Sequence, residues 1–255
     1  MNNVPDAYLG VWQRTLLRTA DGQEDCATRV FWLQTTLLHA DMRMPDPTPK
    51  TIDQRISQGG FAGLTEVQGN RCQWHRLLDF HPDSGTDVGI MEFVGPDEVH
   101  EAAPDGSYLE IWRRLPESVG ATQAVWLAAT DDTQRQACLL LAGDFFMFVA
   151  DRPVPTQKGI PLRAQVAGLD ADRAEIMLGS EFSFGRIAGG GLPWEITLST
   201  LPGRVRSCLL LESPEAEIEN WPIKSLATLG GYPPLNGWQR APFPLLSLPA
   251  QEVAL

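Results

Sequence analysis

The sequence has no run of Lys or Arg, and its formal net charge is −12 over 255 residues. Binding to phosphate needs a basic surface, so this balance argues against nucleic acid and against electrostatic docking on anionic membranes. Long apolar runs are missing too. The most apolar stretch, Ala137 to Ala150, is interrupted by Gly143-Asp144 and is too short to span a bilayer. The start, Met-Asn-Asn-Val-Pro-Asp, shows neither a basic n-region nor an apolar h-region, so the expectation is a cytoplasmic protein without a signal peptide. Cysteine is scarce and scattered: Cys26, Cys72, Cys138 and Cys208 form no Cys-x-x-Cys pair and are expected to be reduced, buried or incidental. The four histidines, His39, His75, His81 and His100, lack His-x-His and His-Glu-x-x-His spacings, so no metal and no cofactor are expected. There is no Gly-x-Ser-x-Gly nucleophile, and Gly189-Gly190-Gly191 lacks the strand-to-helix setting of a phosphate loop.

What is present points to strands. Gly 23 and Pro 20 favour turns over long helices, and a 43% hydrophobic fraction is that of a globular chain. One pattern recurs four times: Trp12-Gln13-Arg14, Trp32-Leu33-Gln34, Trp74-His75-Arg76 and Trp112-Arg113-Arg114. In a strand, residues i and i+2 share a face, so each copy sets an aromatic plate about 7 Å from a long polar or cationic head. Four such strands suggest one shared wall.

Strands are expected near residues 9–18, 28–38, 61–67, 71–80, 87–94, 98–102 and 107–115, joined by tight turns. In the fourth, Cys72, Trp74, Arg76, Leu78 and Phe80 would face one way; in the last, Tyr108, Glu110, Trp112 and Arg114 would face inward. Residues 40–49, with three prolines, read as a strand end leading into a loop. Thr51 to Gln58 suits a short helix with Thr51 as N-cap and Gln54 in the capping-box position. The second half reads as a hairpin over 121–130 and 134–141, a strand at 145–150, and further strands near 163–168, 174–178, 182–188, 194–199 and 205–212. A helical turn at 215–220 and a draped Pro-rich tail from Ala241 to Pro249 would follow. The expected class is all-β, an antiparallel barrel with two barrel-like lobes and minor helix, divided as 1–117 and 118–255.

The run Tyr8-Leu9-Gly10-Val11-Trp12 resembles the Gly-x-Trp signature of the lipocalin-like, or calycin, barrels. That resemblance implies a Trp on the first strand closing one barrel end against an Arg from a late strand, here Arg113 or Arg114. Phe61-Ala62-Gly63-Leu64, Trp32-Leu33-Gln34-Thr35, Leu109-Glu110-Ile111-Trp112 and Gly191-Leu192-Pro193-Trp194-Glu195 also resemble a two-lobed lipocalin-like family of uncharacterised function found in fungi. It implies architecture and no chemistry.

Three functions stay open. In the first, Trp12, Trp32, Trp74 and Trp112 with Arg14, Gln34, Arg76 and Arg114 line a cavity for a small amphipathic or anionic ligand. Glu92 and Glu110 would then pair with any Arg the ligand leaves free, because an unpaired buried charge is costly. In the second, the barrel is an enzyme acting on a small acid. Some calycin barrels decarboxylate aromatic acids with Tyr, Arg and Glu residues; Tyr108, Glu110, Arg76 and Arg114 are similar in type, without a residue-by-residue match. In the third, the Trp residues are core plugs, the Arg residues a structural lattice, and the protein is a scaffold for a protein partner. Interior volume separates the third from the first two, and product analysis on wild type and Glu110→Gln separates those.

Overall fold

In the computed structural model the described residues are 4–82, 87–131, 133–157, 159–188, 192–209, 235 and 237–243. The triple glycine, the acidic 215–220 stretch and most of the Pro-rich end lie outside them.

The first sheet runs through β1 (Gly10–Thr19), β2 (Glu24–Asp25), β3 (Arg29–Gln34), β4 (Leu38–Met44), β5 (Gly59–Gln68), β6 (Arg71–Asp79), β7 (Asp87–Gly95), β8 (Glu98–Ala102) and β9 (Tyr108–Arg114). All neighbours are antiparallel, and β9 pairs back onto β1 from Trp12↔Arg114 to Thr19↔Tyr108. Leaving aside the two-residue β2, which only extends β1 at Leu17↔Asp25, this is an eight-stranded up-and-down barrel with no open edge.

The hairpin between β3 and β4 was not expected from the sequence, where residues 28–38 read as one strand. The turn has no Gly, Asn, Asp or Pro. Its chemistry is that of a threonine hydroxyl: Thr35 Oγ1 accepts from Leu38 N at 3.1 Å and donates to Leu38 O at 2.9 Å. The short helix α1 (Ile52–Ile56) does carry the expected capping box between Thr51 and Gln54. In β6 the shared face breaks at Leu77, which is bulged out where Ala62↔Leu78 gives way to Gly63↔Arg76. Cys72, Trp74 and Arg76 therefore point inward, whereas Leu78 and Phe80 point out of the barrel.

The second sheet holds β10 (Thr122–Ala129), β11 (Gln136–Ala142), β12 (Phe145–Ala150), β13 (Glu181–Arg186), β14 (Glu195–Ser199) and β15 (Trp238–Ala241), in the order β14-β13-β12-β11-β10-β15. Segments 163–168 and 174–178 are helices and not strands: α2 (Leu162–Val166) and α3 (Ala171–Met177), the latter capped by Asp170 accepting from Arg173 N. Their apolar residues, Leu162/Val166 and Ala174/Leu178, recur every fourth position, which is the helical period. Within 205–209 there is only a single bridge, Glu195↔Cys208.

The two sheets share a core. Leu33, Ala40, Met42, Ala62 and Leu64 on the outer wall of the barrel pack with Cys138, Leu140, Met147, Val149 and Phe184 of the second sheet. Phe31 stacks on Phe184 with ring centroids 4.5 Å apart. Each large apolar side chain fully buried there contributes about 1.5–3 kcal/mol. Arginines clamp the junction as well: Arg152 donates to Phe80 O at 2.7 Å and Met177 O at 3.2 Å, and Arg55 pairs with Glu175 and donates to Leu178 O. The opposite face of the second sheet buries Leu139, Leu141, Phe146 and Phe148 with Trp194 and Ile196.

Candidate functional site

The alternation of strand side chains puts Trp12, Trp32, Trp74 and Trp112 into one cluster inside the barrel, with Tyr8, Val30, Phe61, Cys72, Met91 and Val99. Trp32 is the hub. It stacks on Trp12 at 6.0 Å and meets Trp74 and Trp112 edge-on at 5.6 and 5.9 Å. Three indole N–H groups are pinned: Trp12 to Tyr8 O, Trp32 to Gln34 Oε1 and Trp112 to Glu101 Oε2. For the Trp74 indole N–H no hydrogen bond is found among the described residues.

Arg114 closes one end. Its guanidinium lies 4.9 Å over the Trp12 ring and donates to Leu9 O, Pro96 O and Asp97. Arg113 instead is on the surface, paired with Glu98. Gly10 is needed beside Arg114: its φ is +122°, and a Cβ would come within 2.9 Å of Ser118 Oγ and 3.0 Å of Arg114 Cδ. The glycine and the tryptophan of the Gly-x-Trp run thus serve the same closure.

The other heads of the four pairs are engaged structurally. Arg14 is buried between Glu110 and Asp25, each at 2.7 Å. Gln34 receives Trp32 Nε1 and Thr65 Oγ1–H, and donates to Thr35 O and Leu38 O. Because Thr65 spends its proton on Gln34, it must accept from His39 Nδ1 at 3.0 Å, which fixes the His39 tautomer and leaves Nε2 a bare buried acceptor. Burial first, then Arg76 and His75, hold this imidazole well below its ordinary pKa, so it is neutral. Arg76 lies 3.8 Å over Phe61 and bonds Asp87 at 2.7 Å, while its Nε is buried without a partner.

Of the acids in this interior, the sequence reading placed Glu110 and missed Asp41 and Glu101. Asp41 is buried against Arg43 at 2.8 Å. Glu101 sits directly across from Glu110 on paired strands and accepts from Tyr108 Oη and Trp112 Nε1. Burial, and then Glu110, push the Glu101 carboxyl well above the carboxylate range. Burial raises Glu110 too, against the pull of Arg43 and Arg14. The visible signal was the glutamate at inward positions of two successive strands.

Two sequence expectations need correction. Glu92 is exposed on the outer face of β7, between the inward Met91 and Phe93, so it pairs with no interior arginine. Tyr108, Glu110, Arg76 and Arg114 do not meet around one space: their partners are Glu101, Arg14, Asp87 and Asp97 respectively.

A pocket inside the barrel, bordered by Trp32, Asp41, Phe61, Trp74, Glu101 and Trp112, measures about 10 Å³. That is room for about one water. Outside, where β6 meets the β10–β11 turn and residues 151–156, lies a half-open cleft of about 710 Å³. Trp74 borders both spaces. The cleft is walled by Arg76 and Asp79 from the barrel, Arg135 from the turn, and Asp151 and Arg152 after β12. Among the described residues no group of three or more His, Cys, Asp or Glu is arranged to hold a metal ion, and no helix is long and apolar enough to cross a membrane.

No protein-family model and no curated protein matches this sequence. Among solved structures, an uncharacterised protein of Saccharomyces cerevisiae, YLR301w, aligns at 15% identity over 92% of this chain and 99% of its own, with a TM-score of 0.56. A lipocalin-like protein from Bacteroides uniformis aligns over 43% of this chain and 99% of its own, at 15% identity and a TM-score of 0.33. The closed eight-stranded meander with its Trp12–Arg114 end decides the architecture. The fold is lipocalin-like. This lipocalin-like barrel carries a second sheet, and its likeness to the yeast protein extends over both.

Proposed function

We propose that the chain is a binding protein in which the barrel is a solid structural core and recognition takes place in the cleft at the junction of the two sheets. The contrast of volumes carries this reading. A cleft of about 710 Å³ lies in the range that accommodates small molecules, whereas about 10 Å³ inside the barrel does not. Every head of the four Trp pairs already has protein partners, so a ligand entering the barrel would have to break them. The expected anionic ligand in the barrel gives way to a ligand outside it.

The test is a thermal-shift screen of small molecules on the full chain and on Val154→Trp, which fills the cleft. A ligand binding the folded state raises the melting temperature by mass action. Molecules that stabilise the wild type are expected to leave Val154→Trp unmoved. Equal stabilisation of both proteins would contradict the cleft.

A further inference from the structure

The arginines of the cleft are all engaged. Arg76 is held by Asp87 at 2.7 Å and Asp79 at 3.4 Å, and Arg152 by the carbonyls of Asp79, Phe80 and Met177. Arg135 lies over Trp238 at 5.3 Å, beside Asp131 and Thr133. Asp151 differs. Its carboxylate accepts from Gln136 N at 2.9 Å and makes no ion pair among the described residues.

Taking the cleft as the binding site argued above, we propose that its ligand is a small organic cation, an ammonium or guanidinium on an apolar body, with the charge on Asp151. A carboxylate drawn out of water and held in no direct ion pair favours a partner that makes one, and charge-assisted hydrogen bonds are the stronger kind. Burial raises the Asp151 carboxyl above its ordinary range, outweighing the Gln136 N–H bond and the pull of Arg152 and Arg135. The apolar body finds Leu77 on one wall and Val154 on the other, with Trp74 at the boundary to the barrel. Each guanidinium lining the cleft already has a protein partner, for which an anion would have to compete. The overall charge of −12 draws cations towards the surface as well.

Isothermal titration calorimetry on the full chain tests this with three molecules sharing one indole body: tryptamine, indole-3-ethanol and indole-3-acetate. Tryptamine is expected to bind, the other two at least about tenfold more weakly, and Asp151→Asn to weaken tryptamine by about tenfold or more. Asn keeps the acceptor for Gln136 N, so the fold has what it needs. Should that variant fail to fold, Val154→Trp must abolish tryptamine binding while Asp151 stays in place. Equal or tighter binding of the acetate or the alcohol overturns the cation and leaves the cleft standing, as does full affinity in Asp151→Asn. Binding of none of the three overturns the cation; the cleft then stands or falls on the wider screen. Tryptamine binding that survives Val154→Trp overturns both.

Discussion

Glu101 sits in the barrel with a second carboxyl facing it. It is buried opposite Glu110, and Gly89 makes room for it: a Cβ at Gly89 would come within 2.6 Å of Glu101 Cγ. Its folded-state pKa lies above the ordinary 4.5. The folded protein therefore binds this proton more tightly than the unfolded chain, and stability from Glu101 is fully present below pH 4.5 and lost as pH rises through the window above it. Glu101→Gln, which mimics the protonated group, accepting from Trp112 Nε1 and donating to Tyr108 Oη, is expected to raise the melting temperature at pH 8 and to flatten its decline from pH 5. Parallel melting curves for the two proteins would contradict this. The four Trp pairs were legible in the sequence because their spacing matches the strand repeat. Glu110 was legible beside Trp112, but Asp41 and Glu101 were not, because a lone Glu or Asp in a strand reads as an exposed residue until its partner strand is known.

At the scale of elements, strands announced themselves where apolar and polar residues alternate and Gly, Asp or Asn marks the turn. The β3–β4 turn escaped because Thr35 does the work of those residues, and α2 and α3 escaped because two short helices of one or two turns offer few repeats of the helical period. The Leu77 bulge is equally silent in sequence, yet it turns the end of β6 from the barrel interior to the shared core. It depends on Gly63, where an added Cβ would run into the His75 carbonyl oxygen. Backbone leaves no room to yield, so Gly63→Ala is expected to cost at least about 1–3 kcal/mol, the usual range for overpacking, measured by urea unfolding. A loss below 0.5 kcal/mol, roughly the scatter of neutral surface changes, would show the bulge relaxing freely.

The whole molecule divides its labour between a barrel that is packed and a junction that is open. In the barrel, hydrogen bonds fix three of the four indoles, and its outer wall packs on the second sheet. That sheet in turn supplies two sides of the cleft. A sequence alone conveys which residues line a barrel but not how much space they leave, since volume depends on how four indoles interleave. The most direct test is therefore of volume. Xenon enters dry cavities of sufficient size and moves the NMR signals of methyl groups around it. Under xenon pressure the Val30 and Val99 methyl resonances, inside the barrel, are predicted to stay where they are. Saturable shifts at both would reveal an interior void and contradict a solid barrel.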